Sequence, residues 1–459
     1  MNASEERVRR WAERSERWVP DPLLLAILLT GVIVVTALVL GAFHVGPALG
    51  LGGVAGVWVK GLGSSVGLAF AFQMCLVLVT GHALACSPPA ARVVRWLASL
   101  PRGQAQATMV VGVSALAAGV VHWGLAAVLG ALVARGIADG FRRRGEAISL
   151  PLLGAAAYVG MAIWHAGLSG SAPLTVAQPL HFASEVVGQV PLSQTLFRFE
   201  NIILLSVVAL VLLAVLYGLA RRSPDAVEEF AAGADDEEPP SGSTFKSEPG
   251  GVALEHAPWF GRSCAALMAV GLVYALMAEV VAFDLNAVNL GFLSFGLFLH
   301  GTLRAYMDAV TEGARGAGAI LVQFPLYFGI LEIMRAAGIV TWLSGLLVGL
   351  SSATTFLPLA FLSAGLVNFF VPSGGGQWAV QGPILLEAGL SVGVDPGWVI
   401  LAFAYGDGWT NLLQPFWALP LLSLLRLRAA DLVLYTFWLF LAMGAVVVTL
   451  LFLLPTIVS

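Results

Sequence analysis

The sequence predicts an all-α polytopic membrane protein made of two inverted-topology repeats, each with a re-entrant hairpin and a broken transmembrane helix. Three observations carry that expectation. First, the 459 residues are 58% hydrophobic and 11% charged, where a typical soluble domain is roughly 25% charged. Second, short matches recur in order at a separation of 246–247 residues. Third, runs rich in glycine and proline interrupt apolar stretches otherwise long enough to cross a bilayer. The composition excludes a soluble enzyme, a nucleic-acid binder and a disordered chain. At about 20 residues per pass, the apolar stretches allow on the order of ten passes.

Residues 1–20 predict an interfacial helix. Glu5, Glu6, Glu13 and Glu16 mix with Arg7, Arg9, Arg10, Arg14 and Arg17, and Trp11 and Trp18 add aromatic anchors. Its arginines place it in the cytoplasm. No secretory signal is expected, because no basic region, short apolar run and small-residue cleavage site stand here. The first transmembrane repeat covers 21–220. A span at 22–43 leads to a stretch, 44–63, whose only charge is Lys60 and which is read as an external loop. A second span, 64–85, returns to Arg92, Arg95 and Arg102.

The apolar residues 104–134 are basic on both flanks, with Arg135 and Arg142–Arg144 following. One crossing would put a basic cluster outside, against the positive-inside tendency. Two crossings need about 40 residues. A re-entrant hairpin with its tip near Gly119–Gly124 meets both constraints. The next span, 149–180, is broken by Gly167-Leu168-Ser169-Gly170-Ser171-Ala172-Pro173. Non-helical backbone at that depth is tolerated only inside protein or against a watery cavity. A span at 201–220 then meets an acidic tether at 221–258, with nine acids and three bases. The tether is expected to be cytoplasmic and solvated. It carries −6 of a net −4, so the rest of the chain is slightly positive.

The second repeat, 259–459, echoes the first. Trp96 aligns with Trp342, and Ala118-Gly119 with Ala364-Gly365, at a separation of 246; Ala157-Tyr158 aligns with Ala404-Tyr405, and Pro173-Leu174 with Pro420-Leu421, at 247. A second hairpin is expected at about 359–389 and a second broken helix at about 398–425. Arg426 and Arg428 end the second broken helix, whereas Arg144 precedes the first, which makes the repeats antiparallel. Residues 339–357 are read as interfacial by their likeness to 93–100. Inverted repeats with interrupted helices are the signature of secondary transporters.

Four interrupted sites follow. In the sharpest, Ser373-Gly374-Gly375-Gly376-Gln377, three glycines cost about 1 kcal/mol each in a helix relative to alanine. They free backbone N–H groups, and a helix beginning at Gln377 would aim its positive end at an anion. Gln381 adds polarity. In the second site, Ser169, Gly170 and Ser171 lie beside Trp164 and His165. The third holds Asp407, Thr410 and Asn411. An intramembrane acid there suits a coupling proton or Na⁺. The weakest is the first hairpin tip, with His122 and Trp123. None of the four contains Arg or Lys, which favours a small monoanion over a dicarboxylate. No cofactor is expected beyond Na⁺ as a coupling ion. Cys75, Cys86 and Cys264 show no metal-ligand spacing and read as core residues. Gly167-Leu168-Ser169-Gly170 also fits an intramembrane serine hydrolase pattern, with His300 as a base, but that leaves the repeat unexplained.

The chain resembles the bacterial short-chain fatty acid transporter family along nearly its whole length. The resemblance rests on Trp18-Val19-Pro20-Asp21-Pro22-Leu23, Val79-Thr80-Gly81-His82-Ala83-Leu84-Ala85, Gly167–Leu174, Leu321-Val322-Gln323-Phe324-Pro325, Val371–Pro383 and Gln414-Pro415-Phe416-Trp417-Ala418-Leu419-Pro420. It implies uptake of butyrate- and acetoacetate-like monocarboxylates through the inner membrane, coupled to Na⁺ or H⁺. It further implies a homodimer and an elevator motion. His122 departs from the pattern, since its repeat partner is Asn368. A cation/proton antiporter of the same architecture, with Asp407 as the ion site, is the alternative.

Overall fold

A computed structural model describes residues 22–44, 46–177, 181, 183–222, 251–281, 285–370, 372, 374–414 and 417–458. The expected interfacial helix at 1–20, most of the acidic tether and Ser373 lie outside the described residues. The described chain is helical, without strands. Seven helical segments are long and apolar enough to cross a bilayer among the described residues, and shorter apolar helices accompany them.

The first half contains α1 (Pro22–Ala42), α2 (Leu51–Leu62), α3 (Ser65–Cys86), α4 (Pro88–Ser99), α5 (Gln104–Val121), α6 (Trp123–Arg144), α7 (Leu150–Tyr158), α8 (Ser171–Val176) and α9 (Phe199–Arg222). The second contains α10 (Pro258–Met277), α11 (Leu285–His300), α12 (Leu303–Ala314), α13 (Gly318–Ala336), α14 (Ile339–Val348), α15 (Phe356–Asn368), α16 (Gly374–Ser391), α17 (Pro396–Asn411), α18 (Leu419–Leu425) and α19 (Ala429–Val458). From α4 to α9 and from α14 to α19 the order is the same: a short helix, two hairpin arms, a helix that stops, a short helix, and a long span.

Boundaries differ from the sequence reading in informative ways. Part of the expected loop at 44–63 is the apolar helix α2, whose Gly61 abuts the Phe328 carbonyl of α13. The second arm of the first hairpin, α6, runs on to Arg144 and ends at Gly145, which has φ 68°. Three C-terminal arginines, Arg142–Arg144, complement the helix dipole there. The turn falls at His122, inside the expected tip. α14 has ten residues, about 15 Å at 1.5 Å per residue, so it is too short to cross. Helix α16 begins at Gly374, three residues before Gln377, so the glycines are its first turn.

Packing sorts the helices into two bodies. α1, α2 and α3 pack on α13, and α10 and α11 join through α3. The hairpins and broken helices form the other. Within each half, the first hairpin arm lies along the helix that stops: α5 on α7 and its 3₁₀ extension, α15 on α17. Between halves, α8 packs on α16, and α18 packs on α6. The short helix after each break thus docks on the other half's hairpin.

Candidate functional site

The two breaks and the two hairpin turns converge. In the first half, α7 gives way to 3₁₀ turns at Val159–Ala162 and Trp164–Ala166 before α8 resumes at Ser171. Helix therefore yields earlier than the expected Gly167–Pro173 run. The turn at Gly167–Gly170, closed by the Gly170 N–H donating to the Gly167 carbonyl at 3.0 Å, is tied to the first hairpin. The Leu168 N–H donates to the Val120 carbonyl at 2.7 Å. The Trp123 N–H donates to Ser169 Oγ at 3.2 Å. In the second half, α17 continues through Asp407, Thr410 and Asn411, and the break follows them. Gln414 Nε2 donates there to the Asn368 and Phe369 carbonyls, both at 3.2 Å.

His165 and Asp407 meet at the centre. Nδ1 of His165 lies 2.6 Å from Asp407 Oδ2, with the two side chains 0% and 1% exposed. The Ala172 N–H donates to His165 Nε2 at 3.1 Å, and Ser171 Oγ lies 3.0 Å from the same nitrogen. An Nε2 that accepts has no hydrogen, so the neutral ring carries its hydrogen on Nδ1 and gives it to Asp407. Oδ1 of Asp407 is buried and finds no hydrogen-bond partner among the described residues. The His165 ring stacks on Trp164 at 4.5 Å between centroids and meets Phe403 edge-on at 5.6 Å.

The second hairpin reaches the same place. A Cβ on Gly374 would sit 2.6 Å from His165 Cε1 and 2.9 Å from Ser171 Oγ. Only glycine brings the helix backbone this close. The N–H groups of Gly374 and Gly375, in the first turn of α16, lack helical acceptors by position. Gly170 allows an equally close approach from the other side, since its Cβ would overlap the His165 carbonyl.

The remaining candidates play other parts. Gln377 Nε2 donates to the Ala364 carbonyl at 2.8 Å and to Gln381 Oε1 at 2.9 Å, and Gln381 Nε2 donates to Ser363 Oγ at 2.8 Å. Both glutamines therefore clamp the two arms of the second hairpin together. His122 Nδ1 accepts from the Gly124 N–H and caps α6. Trp123 meets Trp417 of the second break edge-on at 5.2 Å, and Trp417 lies 6.1 Å from Trp164. These rings make an apolar wall beside the polar centre.

Three features escaped the sequence reading. Asn368 Nδ2 lies 3.0 Å from the Asp407 carbonyl, 2.9 Å from Thr410 Oγ1 and 2.8 Å from Asn411 Oδ1. Asn201, at the start of α9, donates through Nδ2 to the Ala166 and Leu196 carbonyls and accepts at Oδ1 from the Tyr405 hydroxyl. Arg335, at the end of α13, donates to the Gly376 carbonyl at 3.2 Å. The four sites are thus not free of cations. No spacing along the chain signals a contact between residues 335 and 376.

The hydrolase pattern does not assemble. Ser169 is bonded to the first hairpin, while His300 lies 2.7 Å from the Ala83 carbonyl on another helix pair. No group of three His, Cys, Asp or Glu residues suited to a metal ion occurs among the described residues. The cysteines are unpaired, with Cys75 buried in the packing of α3 against α13.

A family model described as "Short chain fatty acid transporter" matches residues 5–454. A protein of Escherichia coli K12, provisionally named a short-chain fatty acid transporter, is 36% identical over 430 residues, covering 94% of this chain and 95% of its own. A protein of Haemophilus influenzae Rd, with the same provisional name, is 31% identical over 427 residues, covering 90% and 92%. Two solved structures are similar at lower levels. The YdaH transporter of Alcanivorax borkumensis has a TM-score of 0.43 and 14% identity, covering 95% of this chain and 99% of its own. MtrF of Neisseria gonorrhoeae, described as illuminating a class of antimetabolite efflux pumps, has a TM-score of 0.40 and 15% identity, covering 95% and 97%. Matched along nearly its whole length by the family model and by both relatives, this chain is a multi-pass membrane transporter, not an enzyme, and belongs to the short-chain fatty acid transporter family.

Proposed function

We propose that this protein is a secondary active transporter that carries short monocarboxylates, such as butyrate and acetoacetate, together with a proton held by His165 and Asp407. The observation that carries the reading is the buried 2.6 Å contact between those two side chains, one from each half, beneath the glycine turn of the second hairpin. A neutral imidazole and a carboxylate leave one buried negative charge, which opposes a second anion nearby. A proton on Asp407 Oδ1 removes that charge. Proton and carboxylate then favour each other's binding, and the coupling is reciprocal. In this reading the carboxylate is held by the Gly374 and Gly375 amides and Ser171, and its short chain lies against Trp123 and Trp164.

The transport mode is an elevator motion of the hairpin body against the α1–α3 and α13 body, built from inverted repeats. Support comes from the equivalent docking of α8 on α16 and α18 on α6. The protein works in the inner membrane with its N-terminus and acidic tether in the cytoplasm. The basic clusters at Arg92–Arg102, Arg142–Arg144 and Arg426–Arg428 favour that orientation. α10 exposes Leu267, Val270, Tyr274 and Met277, an apolar face that lipid or a second copy in a homodimer covers.

Asn368 supports a second reading, with Na⁺ as the coupling ion. Its amide has two hydrogens but three oxygens within 3.0 Å, and its own Oδ1 has no partner among the described residues. A half-turn of the side-chain amide exchanges its nitrogen and oxygen with little change of shape. Rotating the amide would turn four oxygens inward: those of Asn368, Thr410, Asn411 and the Asp407 carbonyl. Substitution separates the two readings. In proteoliposomes, Asp407→Asn and His165→Gln abolish uptake driven by a pH gradient if the proton is coupled. Asn368→Ala abolishes Na⁺-driven uptake if sodium is. Loss of pH-driven uptake in neither His165→Gln nor Asp407→Asn would contradict the proton reading.

A further inference from the structure

We infer that Arg335 is a specificity-determining residue, which selects a carboxylate at the second hairpin by trading its bond to the Gly376 carbonyl for one to the substrate. The inference rests on the monocarboxylate reading above. Arg335 ends α13, a helix packed on α1, α2 and α3 rather than within either hairpin. Its Nη2 lies 3.2 Å from the Gly376 carbonyl, in the glycine turn whose Gly374 abuts Ser171 and His165. Its Nη1 lies 3.6 Å from Glu332 Oε1, one turn back on the same helix. The Arg335 side chain is 36% exposed, so the guanidinium is not sealed inside the protein.

The chemistry of this corner suits a monoanion. A guanidinium bonds a carboxylate more strongly than a neutral carbonyl, because both partners are charged and the fork can engage two oxygens. Glu332 sits beyond hydrogen-bond distance and competes only as a screening charge. With Glu332 in place the corner starts near neutral, so one carboxylate is held by the direct guanidinium bond against a modest opposing charge and a second is opposed more strongly. The guanidinium also gives a basis for rejecting the neutral amide of the same acid, which presents an NH₂ where the carboxylate has an acceptor.

The test uses purified full-length protein in lipid nanodiscs and ligand-induced thermal stabilisation, with butyrate and butyramide as probes. The wild type is expected to be stabilised by butyrate and not by butyramide. Arg335→Gln is expected to lose about tenfold in butyrate affinity, the scale of one charge-assisted bond, leaving the two probes nearly equal. Arg335→Lys keeps the charge and most of the preference, and Glu332→Gln tightens butyrate binding. If Arg335→Gln folds and retains the full preference for butyrate, the assignment of Arg335 is overturned while the monocarboxylate reading stands. If the wild type shows no preference, both are overturned.

Discussion

His165 is bonded on both ring nitrogens, to Asp407 on one side and to Ser171 and the Ala172 amide on the other. Gly374 closes over the ring. This crowding sets the sharpest single-residue expectation. Gly374→Ala places a methyl 2.6 Å from His165 Cε1. Overpacking of this kind costs about 1–3 kcal/mol, and here it pushes the turn away from the pair. Butyrate uptake is expected to fall more than about tenfold, since each 1.4 kcal/mol is a factor of ten, while the protein still inserts and folds. Uptake equal to wild type in a Gly374→Ala protein of normal monodispersity would show that the close approach is not needed. The sequence made these residue types conspicuous, because glycine runs, an acid and a histidine stand out in an apolar chain. It could not show that His165 belongs to Asp407, because 242 residues separate them. Nor could it separate Gln377 and Gln381, which clamp the hairpin arms, from groups that face a ligand.

At the scale of elements, the breaks are held by partners from other helices. Asn201 satisfies the Ala166 carbonyl where the first broken helix ends, and the Tyr405 hydroxyl satisfies Asn201 in turn at 2.9 Å. All three sites are buried. Tyr405→Phe leaves the Asn201 oxygen short of a donor, at a cost of about 1–3 kcal/mol. Lower thermal stability with altered pH dependence of uptake is expected, because the clasp positions the turn that carries His165. A stability loss with an unchanged pH profile would make the clasp purely structural. On the far side of the same loop, Arg198 bonds Asp395 at 2.7 Å and Glu200 at 3.3 Å and covers the Trp398 ring. Asp395 also caps α17. Arg198→Ala removes a shared partner of two acids, one of them the buried Glu200, and is expected to lower the melting temperature measurably. An unchanged melting temperature would show that the loop contributes nothing to the docking of α17.

Element boundaries in the sequence depended on which signal dominated. Hairpin turns were legible because glycine and charge patterns mark them. The break after α7 begins before the run the sequence marks, since the 3₁₀ turns from Val159 contain no proline and a single glycine, Gly160, in an apolar stretch. Tertiary packing, not propensity, unwinds them: Leu168 and Ser169 are drawn to the first hairpin. α2 reads as loop in the sequence because four of its twelve residues are glycines and Lys60 stands near its end, although one of those glycines, Gly61, is what lets it pack closely on α13.

Across the whole molecule, the two halves meet through equivalent positions. Tyr158 and Tyr405, matched in the sequence at a separation of 247, are both buried, and each hydroxyl crosses to the other half. Tyr158 reaches the Gln414 carbonyl at 3.2 Å, and Tyr405 reaches Asn201 at 2.9 Å. The halves share the element order of α4–α9 and α14–α19 as well as these tyrosine contacts. What the sequence left open was how the halves face each other, because that depends on side chains more than 200 residues apart. The buried pair between the halves is where gradient energy would enter. The most direct test is uptake of labelled butyrate by proteoliposomes under separately imposed pH and Na⁺ gradients. Proton coupling through His165 and Asp407 requires uptake driven by an inside-alkaline pH gradient, lost in Asp407→Asn. Uptake that ignores the pH gradient, or that Asp407→Asn leaves intact, would contradict it.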